Sequence, residues 1–479
     1  MKDYILLINP PAVEGKDYIR EGRCMQSTDS WVAIWPPLTL AIFAAIARKY
    51  SDVRIIDCIA ERLNMPELLE KLGSCSPQVI VVNVAFPSIE GDKEAVAKLR
   101  ERYPNSLILG FGVFFTLLEK EGLEYCPGFD AAIIGEPEVT FEEFLKNYLE
   151  SGEIPGIPGL MYKKGNQVVV GERREFIEDL DILPYPARDL LDNNLYRLPN
   201  NGQPFTLVNT ARGCYYPCIF CIAPVYYGKK IRRHSIEYIV KEIECCKRDL
   251  GLNNFLFWEE VFTFDKNFCI RLCDEFIKRE LKIRWAATTR ADTLDLEILT
   301  KMKDSGCILL GLGIESGSDK ILRECKKGET TGQIKEAVAL CKKAGIPTMG
   351  HFIFGLPGED KSTAEESIKY ALKLGLDYIQ CYCAAPYPKT ELGQMAKKRN
   401  WITSYSWNDY DFGGKSIINT ESLSAEEVTR IKEKAFRRFY FRLGYMAVKI
   451  RELKSPRRIL NALNFTRWMC SSSKQKGQK

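Results

Sequence analysis

Histidine is nearly absent from this sequence: of 479 residues only His234 and His351 carry an imidazole. Nothing before residue 234 can therefore offer an imidazole to a metal or cofactor. Long apolar runs are also missing. The most apolar stretch, Trp31 to Ala47, is shorter than the roughly 20 residues a spanning helix needs, and Pro36-Pro37 breaks it. Those prolines would instead open a buried helix near Leu38. The start, Met1-Lys2-Asp3-Tyr4, lacks the apolar region and small-residue cleavage site of a signal peptide, so a cytoplasmic protein is expected. No low-complexity tract interrupts a composition that is 46% apolar and 27% charged, the balance of a soluble globular chain. Cysteine is plentiful, with 17 residues. In a reducing compartment these read as buried thiols and metal ligands rather than a disulfide framework.

The length favours two or three domains. Over residues 1–151, short β-branched runs alternate with amphipathic stretches: YILLIN, a helix from Leu38, VRIID, VIVVNV, a helix from Lys93, SLILG and AAIIG. This alternation predicts a doubly wound parallel α/β sheet, with ligands at the carboxyl ends of its strands. Those ends are Asn9-Pro10-Pro11, Asp57, Ala85-Phe86, Gly110 to Gly112 and Gly135-Glu136. Residues 152–200 read as a Gly- and Pro-rich linker, with a hairpin turn at Lys163-Lys164-Gly165-Asn166. Over residues 201–390 the alternation resumes with TLVNTARG, NFLFWEE, IRWAATTR, ILLGLGIES, TMGHFIFG and YIQCYCA. Six strand-helix units predict a partial (β/α)6 barrel whose site lies at the strands' C-terminal ends. Residues 391–479 read as a helical, basic extension.

At the end of the first barrel strand stands Arg212-Gly213-Cys214-Tyr215-Tyr216-Pro217-Cys218-Ile219-Phe220-Cys221, a C-x3-C-x2-C loop. Three thiolates so close in sequence can wrap one soft metal centre, and no fourth cysteine follows nearby, which implies an open iron. The rival readings are a zinc loop completed by His234, or three structural thiols. None of the other cysteines repeats the spacing, so a second cluster is the lesser reading.

The loop resembles the signature of radical S-adenosylmethionine enzymes, in which Cys214, Cys218 and Cys221 would hold a 4Fe-4S cluster whose open iron chelates S-adenosylmethionine. The resemblance implies that Phe220 touches adenine, and that Glu259 and Glu260, ending strand two, receive the methionyl ammonium. It also implies S-adenosylmethionine contacts for Arg290 after strand three, Glu315 after strand four and Gly355 in the Gly-Leu-Pro-Gly-Glu loop after strand five. Each, alone, reads equally as a cap, ion-pair partner or turn. The first domain resembles the cobalamin-binding half of the cobalamin-dependent group, through Asn9-Pro10-Pro11, Pro36-Pro37-Leu38, Ile55-Ile56-Asp57 and Gly135-Glu136-Pro137-Glu138. Asn9, Pro10, Asp57, Gly112, Gly135 and Glu136 would then contact cobalamin. The family's Gly-Gly pair reads Phe111-Gly112 here, and its frequent later histidine is Phe114. If cobalamin binds, its lower face has no imidazole from this domain. The alternative is a flavodoxin-like sheet that binds nothing.

The resemblance implies radical functionalisation of an unactivated carbon, with C-methylation the leading expectation. Cyclisation or rearrangement without methyl transfer, and a redox carrier or sensor, are the alternatives. A small-molecule or lipid-like substrate and an external donor of flavodoxin or ferredoxin type are the partners implied; nucleic acid is not expected. Within a C-terminal segment carrying fifteen Lys and Arg from Arg430 onward against Glu433 and Glu452, residues 426–453 read as a helix. Its stripe of Phe436, Phe439, Tyr440, Leu443 and Met446 reads first as docked on the barrel, and second as a peripheral membrane face.

Overall fold

The computed structural model describes residues 4–445, apart from 14, 29–32, 75, 200 and 444. Where β-branched residues run together, strands form: Tyr4–Asn9 (β1), a hairpin of Tyr18–Glu21 (β2) and Cys24–Ser27 (β3), Asp52–Asp57 (β4), Val79–Asn83 (β5), Leu107–Phe111 (β6) and Ala131–Ile133 (β7). A second hairpin, Leu160–Lys164 (β8) and Gln167–Val170 (β9), turns at Gly165-Asn166. The sheet order is β4-β1-β5-β6-β7-β8-β9, with the first five strands parallel and β8 and β9 antiparallel at the edge. Every residue of β1, β5 and β6 is buried, as strands covered by helices on both faces require. Pro37 precedes a helix at Leu38–Ala47, nine of whose residues are buried, so the apolar run is core. No helix among the described residues is long and apolar enough to cross a membrane.

The strand order reverses between β4 and β5 about β1, which opens a crevice at their carboxyl ends. The β2–β3 hairpin, whose short polar sequence gave no strand signal, sits there. Arg20 of β2 holds it, donating to Asn9 Oδ1 (3.0 Å), Pro10 O (3.2 Å), Ser88 Oγ (3.0 Å) and Asp92 Oδ1 (2.8 Å). The Asn83 amide in turn donates to Arg20 O at 2.8 Å.

The second sheet begins with Thr206–Asn209 (β10). A two-residue ribbon, Ala211–Arg212 (β11) against Arg232–Arg233 (β12), then closes the neck of the cysteine loop. Five strands follow: Asn254–Trp258 (β13), Arg284–Thr289 (β14), Cys307–Glu315 (β15), Thr348–Phe354 (β16) and Tyr378–Cys383 (β17). The order β10-β13-β14-β15-β16-β17 is parallel throughout, with β10 and β17 as edges, so the barrel is partial. At the neck, Gly213 has φ +99°, and a Cβ there would meet Lys230 O at 2.1 Å; only glycine lets the ribbon close.

Helix Ala425–Tyr440 covers the β17 edge. Val428 and Phe439 are fully buried in the core, and the Tyr440 hydroxyl donates to Ile379 O (2.8 Å) and accepts from Ile379 N (3.1 Å). The aromatic stripe is thus used against the barrel as far as Tyr440; the Met446 to Leu453 part of the expected helix lies outside the described residues.

The two sheets meet across a buried charge network. Arg212 pairs with Glu138 (2.6 Å) and Glu136 (3.5 Å), and Arg232 with Glu136 (2.7 Å), all at most 6% exposed in their side chains. Removing one partner of such a network strands the others without water. Arg212→Met is expected to cost about 3–5 kcal/mol, read as a lower denaturant midpoint; an unchanged midpoint would show that the network carries no stability.

Candidate functional site

The loop places Cys214 in a buried position and Cys218 and Cys221 at partly exposed ones, none of them in a disulfide. Burial raises all three thiols above their ordinary range. The cations Arg23, Arg290 and Lys327 act in the opposite sense on these thiols, favouring the thiolates that metal binding requires. Among the described residues, no three His, Cys, Asp or Glu side chains converge on a point for one metal ion. His234, the local candidate for completing a zinc site, is buried, stacked on Tyr238 and bonded through Nδ1 to Asp181 (3.0 Å). With His234 committed to Asp181 and Tyr238, three free thiols without a fourth ligand nearby among the described residues suit a cluster with one open iron better than a closed tetrahedral zinc site.

Around the loop stand the strand ends. Glu259 is buried: one carboxylate oxygen accepts from Thr210 Oγ1 (2.9 Å), the other has no protein partner, and burial pushes its pKa up to about 7. Glu260 pairs with Arg23 of the first domain. Arg290 lies 3.7 Å over the ring of Tyr216 in the cysteine loop, and its guanidinium is fixed by Asp292 (2.7 and 2.9 Å) and Lys327 O (2.8 Å). Glu315 sits beside a register shift between β15 and β16 in a left-handed backbone (φ +64°), which costs a non-glycine residue energy and marks sites the fold over-determines. Its carboxylate accepts from buried Lys327 Nζ (3.2 Å), which also pairs with Glu329 (3.2 Å). Gly355 (φ +84°) donates its N–H to Glu359 Oε2 at 2.6 Å. Phe220 is half-buried against the core shared by both sheets.

The sequence did not single out Tyr216, Lys327, Glu329 or Arg23. Lys326-Lys327-Gly328-Glu329 reads as a solvated charged turn, and only the fold shows Lys327 to be 5% exposed. His351 faces Tyr382, whose hydroxyl lies 3.4 Å from Nδ1. Burial, with Arg23 and Lys327 in its field, lowers its pKa to about 3, so the ring is neutral and serves as a hydrogen-bonding group.

At the carboxyl end of the first sheet the expected residues are partly engaged by the protein itself. Asp57 accepts from Asn9 Nδ2 (2.8 Å), Tyr196 (2.9 Å) and the N–H groups of Ile59 and Ala60, and Glu136 belongs to the network at the seam. Pro10 contributes its carbonyl to Arg20. A Cβ on Gly112 (φ +127°) would meet Val84 O at 2.2 Å, whereas one on Gly135 would meet nothing within 4 Å. Between the hairpin and the Trp35-Pro36-Pro37 turn runs a narrow cleft of about 10 Å³, room for about one water molecule. Asn83 Oδ1, on its wall, and Gln26 Oε1 of β3 are buried without a hydrogen-bond donor. They fit a ligand that carries amide donors, as the corrin periphery does.

Comparison with known proteins gives two family matches, a radical SAM superfamily domain over residues 208–371 and a B12 binding domain over residues 28–145. A protein of Pyrococcus horikoshii described as an uncharacterized methyltransferase is 33% identical over 85% of this chain and 88% of its own length. The anaerobic magnesium-protoporphyrin IX monomethyl ester cyclase of Cereibacter sphaeroides is 27% identical over 85% of this chain and 67% of its own. Among solved structures, the radical S-adenosylmethionine methyltransferase TsrM of Kitasatospora setae, with cobalamin and a 4Fe-4S cluster bound, superposes with a TM-score of 0.67. That match is 20% identical and covers 84% of this chain and 76% of the other, which establishes a common fold.

Glu359 supplies a test of the strand-five loop. Burial raises its pKa from 4.5 to about 8, so between those values the folded chain holds a proton the unfolded chain has lost, and stability falls as pH rises. Glu359→Gln keeps an acceptor for the Gly355 N–H and removes that slope. The variant should match the parent near pH 5 and exceed it above pH 8 by on the order of 3–5 kcal/mol in chemical denaturation; parallel pH profiles would refute the assignment.

Proposed function

We propose that this chain, which belongs to the radical SAM superfamily and carries a B12 binding domain ahead of the barrel, C-methylates an unactivated carbon of a small-molecule substrate. The observation that carries the proposal is the set of three unpaired thiols after β10, ringed by charged strand ends, in a chain whose first domain holds partnerless amide oxygens at Asn83 and Gln26. Its cofactors are a 4Fe-4S cluster, S-adenosylmethionine and cobalamin. When bound, they supply reductive cleavage of S-adenosylmethionine to a 5′-deoxyadenosyl radical, and the methyl group.

The chain's own residues bind, orient and exclude water. Cys214, Cys218 and Cys221 would each ligate one iron, leaving the fourth open. The free oxygen of Glu259 is suited to accept from the methionyl ammonium, while the Arg290–Asp292 pair holds Tyr216 and with it the loop's outer wall. Lys327 keeps Glu315 oriented at its strained position. Thr288 and the neutral His351 and Tyr382 give the barrel interior uncharged hydrogen-bonding groups. A lipid-like substrate and a one-electron donor of flavodoxin or ferredoxin type extend the same reading; so does a membrane-peripheral location, which would rest on the basic segment after Tyr440.

Anaerobic reconstitution with iron, sulfide and hydroxocobalamin, followed by reductant and S-adenosylmethionine, tests the proposal. Retained cobalamin and 5′-deoxyadenosine formation, lost at least a hundredfold (~100) in Cys218→Ala, are expected. Cleavage without retained cobalamin would leave the radical chemistry and remove the methyl transfer. A fully loaded cluster that cleaves nothing, with and without candidate substrates, would overturn the enzyme reading in favour of a carrier or sensor.

A further inference from the structure

The tip of the β2–β3 hairpin leaves its own domain and enters the barrel mouth. Gly22 turns it with φ +50°, so close to Tyr227 that a Cβ would stand 2.5 Å from the hydroxyl. Arg23, next in sequence, pairs with Glu260, donates to Glu259 O at 3.4 Å and lies 4.9 Å over the ring of Trp258. Trp35 of the same domain meets Trp258 edge-on at 5.2 Å. The barrel strand that ends in Glu259 and Glu260 is therefore gripped by the N-terminal domain, and the grip is rigid, because Arg20 fastens the hairpin to β1 and to Ser88 and Asp92.

From this geometry we infer that Arg23 is a positioning residue, contributed by the hairpin ahead of the matched B12 binding region, which orients Glu260 and supplies the positive charge that tunes the cluster's reduction potential. The inference rests on the cluster assignment above. Val261, the residue after Glu260, packs in one cluster with Cys214 and Cys221, and both cysteines lie in the field of Glu260 and, more weakly, of Arg23. Reduction adds one negative charge to a cluster already surrounded by thiolates, and a partly desolvated guanidinium nearby stabilises the reduced form more than the oxidised form. The Arg23 side chain is 25% exposed and that of Glu260 is 7% exposed, so solvent screens the pair only in part. The first domain would thus act on the barrel's redox chemistry as well as on its own ligand.

The test is anaerobic redox titration of the reconstituted full-length protein without S-adenosylmethionine, followed by electron paramagnetic resonance of the reduced cluster. Arg23→Gln should shift the midpoint potential downward at unchanged iron and sulfide content. Arg23→Lys, which keeps the charge and loses the fork, should stay near the parent value, and Glu260→Gln should shift it upward. An Arg23→Gln potential equal to the parent's, or an Arg23→Lys potential as low as that of Arg23→Gln, would overturn the inference. If Arg23→Gln does not take up iron, Glu260→Gln decides: an upward shift supports the charge assignment, and an unmoved potential refutes it. A parent protein that holds no 4Fe-4S cluster would refute the cluster assignment itself, a separate outcome.

Discussion

Of the five arginines among the described residues that are almost wholly removed from water, Arg20 and Arg212 are the two from whose pairing the rest of the architecture follows. A charge so placed is tolerated only where carboxylates and carbonyls meet it with good geometry. For Arg20 the partners are Asp92, Asn9, Ser88 and two proline carbonyls, contributed by β1 and by the turn and helix after β5. For Arg212 they are Glu136 and Glu138, at the start of the helix after β7. The first set fixes a hairpin over the switch point of one sheet. The second fixes the neck of the cysteine loop in the other. Neither sheet can shift against its partner without exposing or orphaning charge, so the loop and the hairpin tip are held in one frame.

That frame explains how the barrel mouth tolerates strain. Glu315 occupies a left-handed conformation at an irregularity of the β15–β16 ladder, a choice that costs on the order of 1–3 kcal/mol for a residue with a side chain. What offsets it is Lys327, which is itself acceptable in a buried position because Glu315 and Glu329 both meet it. Glu329 also accepts the N–H groups of Ala291 and Asp292, and so joins the end of β14 to the segment after β15. The polar ring at the strand ends is therefore interdependent: Arg290 orients Tyr216, Asp292 orients Arg290, and Glu329 holds the Asp292 backbone.

Local chemistry made much of this readable in advance. Runs such as YILLIN and VIVVN, short and β-branched between turn signals, read as strands buried on both faces, and the spacing of Cys214, Cys218 and Cys221 reads as a metal loop. Resemblance extended that reading to Glu259, Glu315 and Gly355 at successive strand ends. What stayed hidden depends on pairs distant in sequence. Arg23 and Glu260 are 237 positions apart, and nothing in Glu21-Gly22-Arg23-Cys24 announces more than a polar turn. Asp57 and Glu136 read as ligands from their places at strand ends. Their hydrogen bonds to Tyr196 and Arg232 emerge only when the segment after β9 and the β12 ribbon fold back on the first sheet. The tail shows the same limit in reverse, since its aromatic period was evident and its destination, the β17 edge, was not.

The scarcity of histidine acquires a meaning once the two imidazoles are located. His234 is buried beside Asp181 and its pKa lowered to about 4, and His351 is lowered to about 3, so among the described residues no imidazole changes charge near neutral pH. The groups that do are carboxylates denied water: Glu21 and Glu259 at about 7 and Glu359 at about 8. All three lie at or just beyond strand ends, one beside the switch point of the first sheet and two at the mouth of the barrel. A fold that needs protons held close to a radical can keep them on buried carboxylic acids, which are neutral and hydrogen-bonding when protonated. A charged imidazolium at His351 would instead be opposed by the fields of Arg23 and Lys327. Among the described residues, burial thus moves glutamates, and not imidazoles, into the neutral pH range.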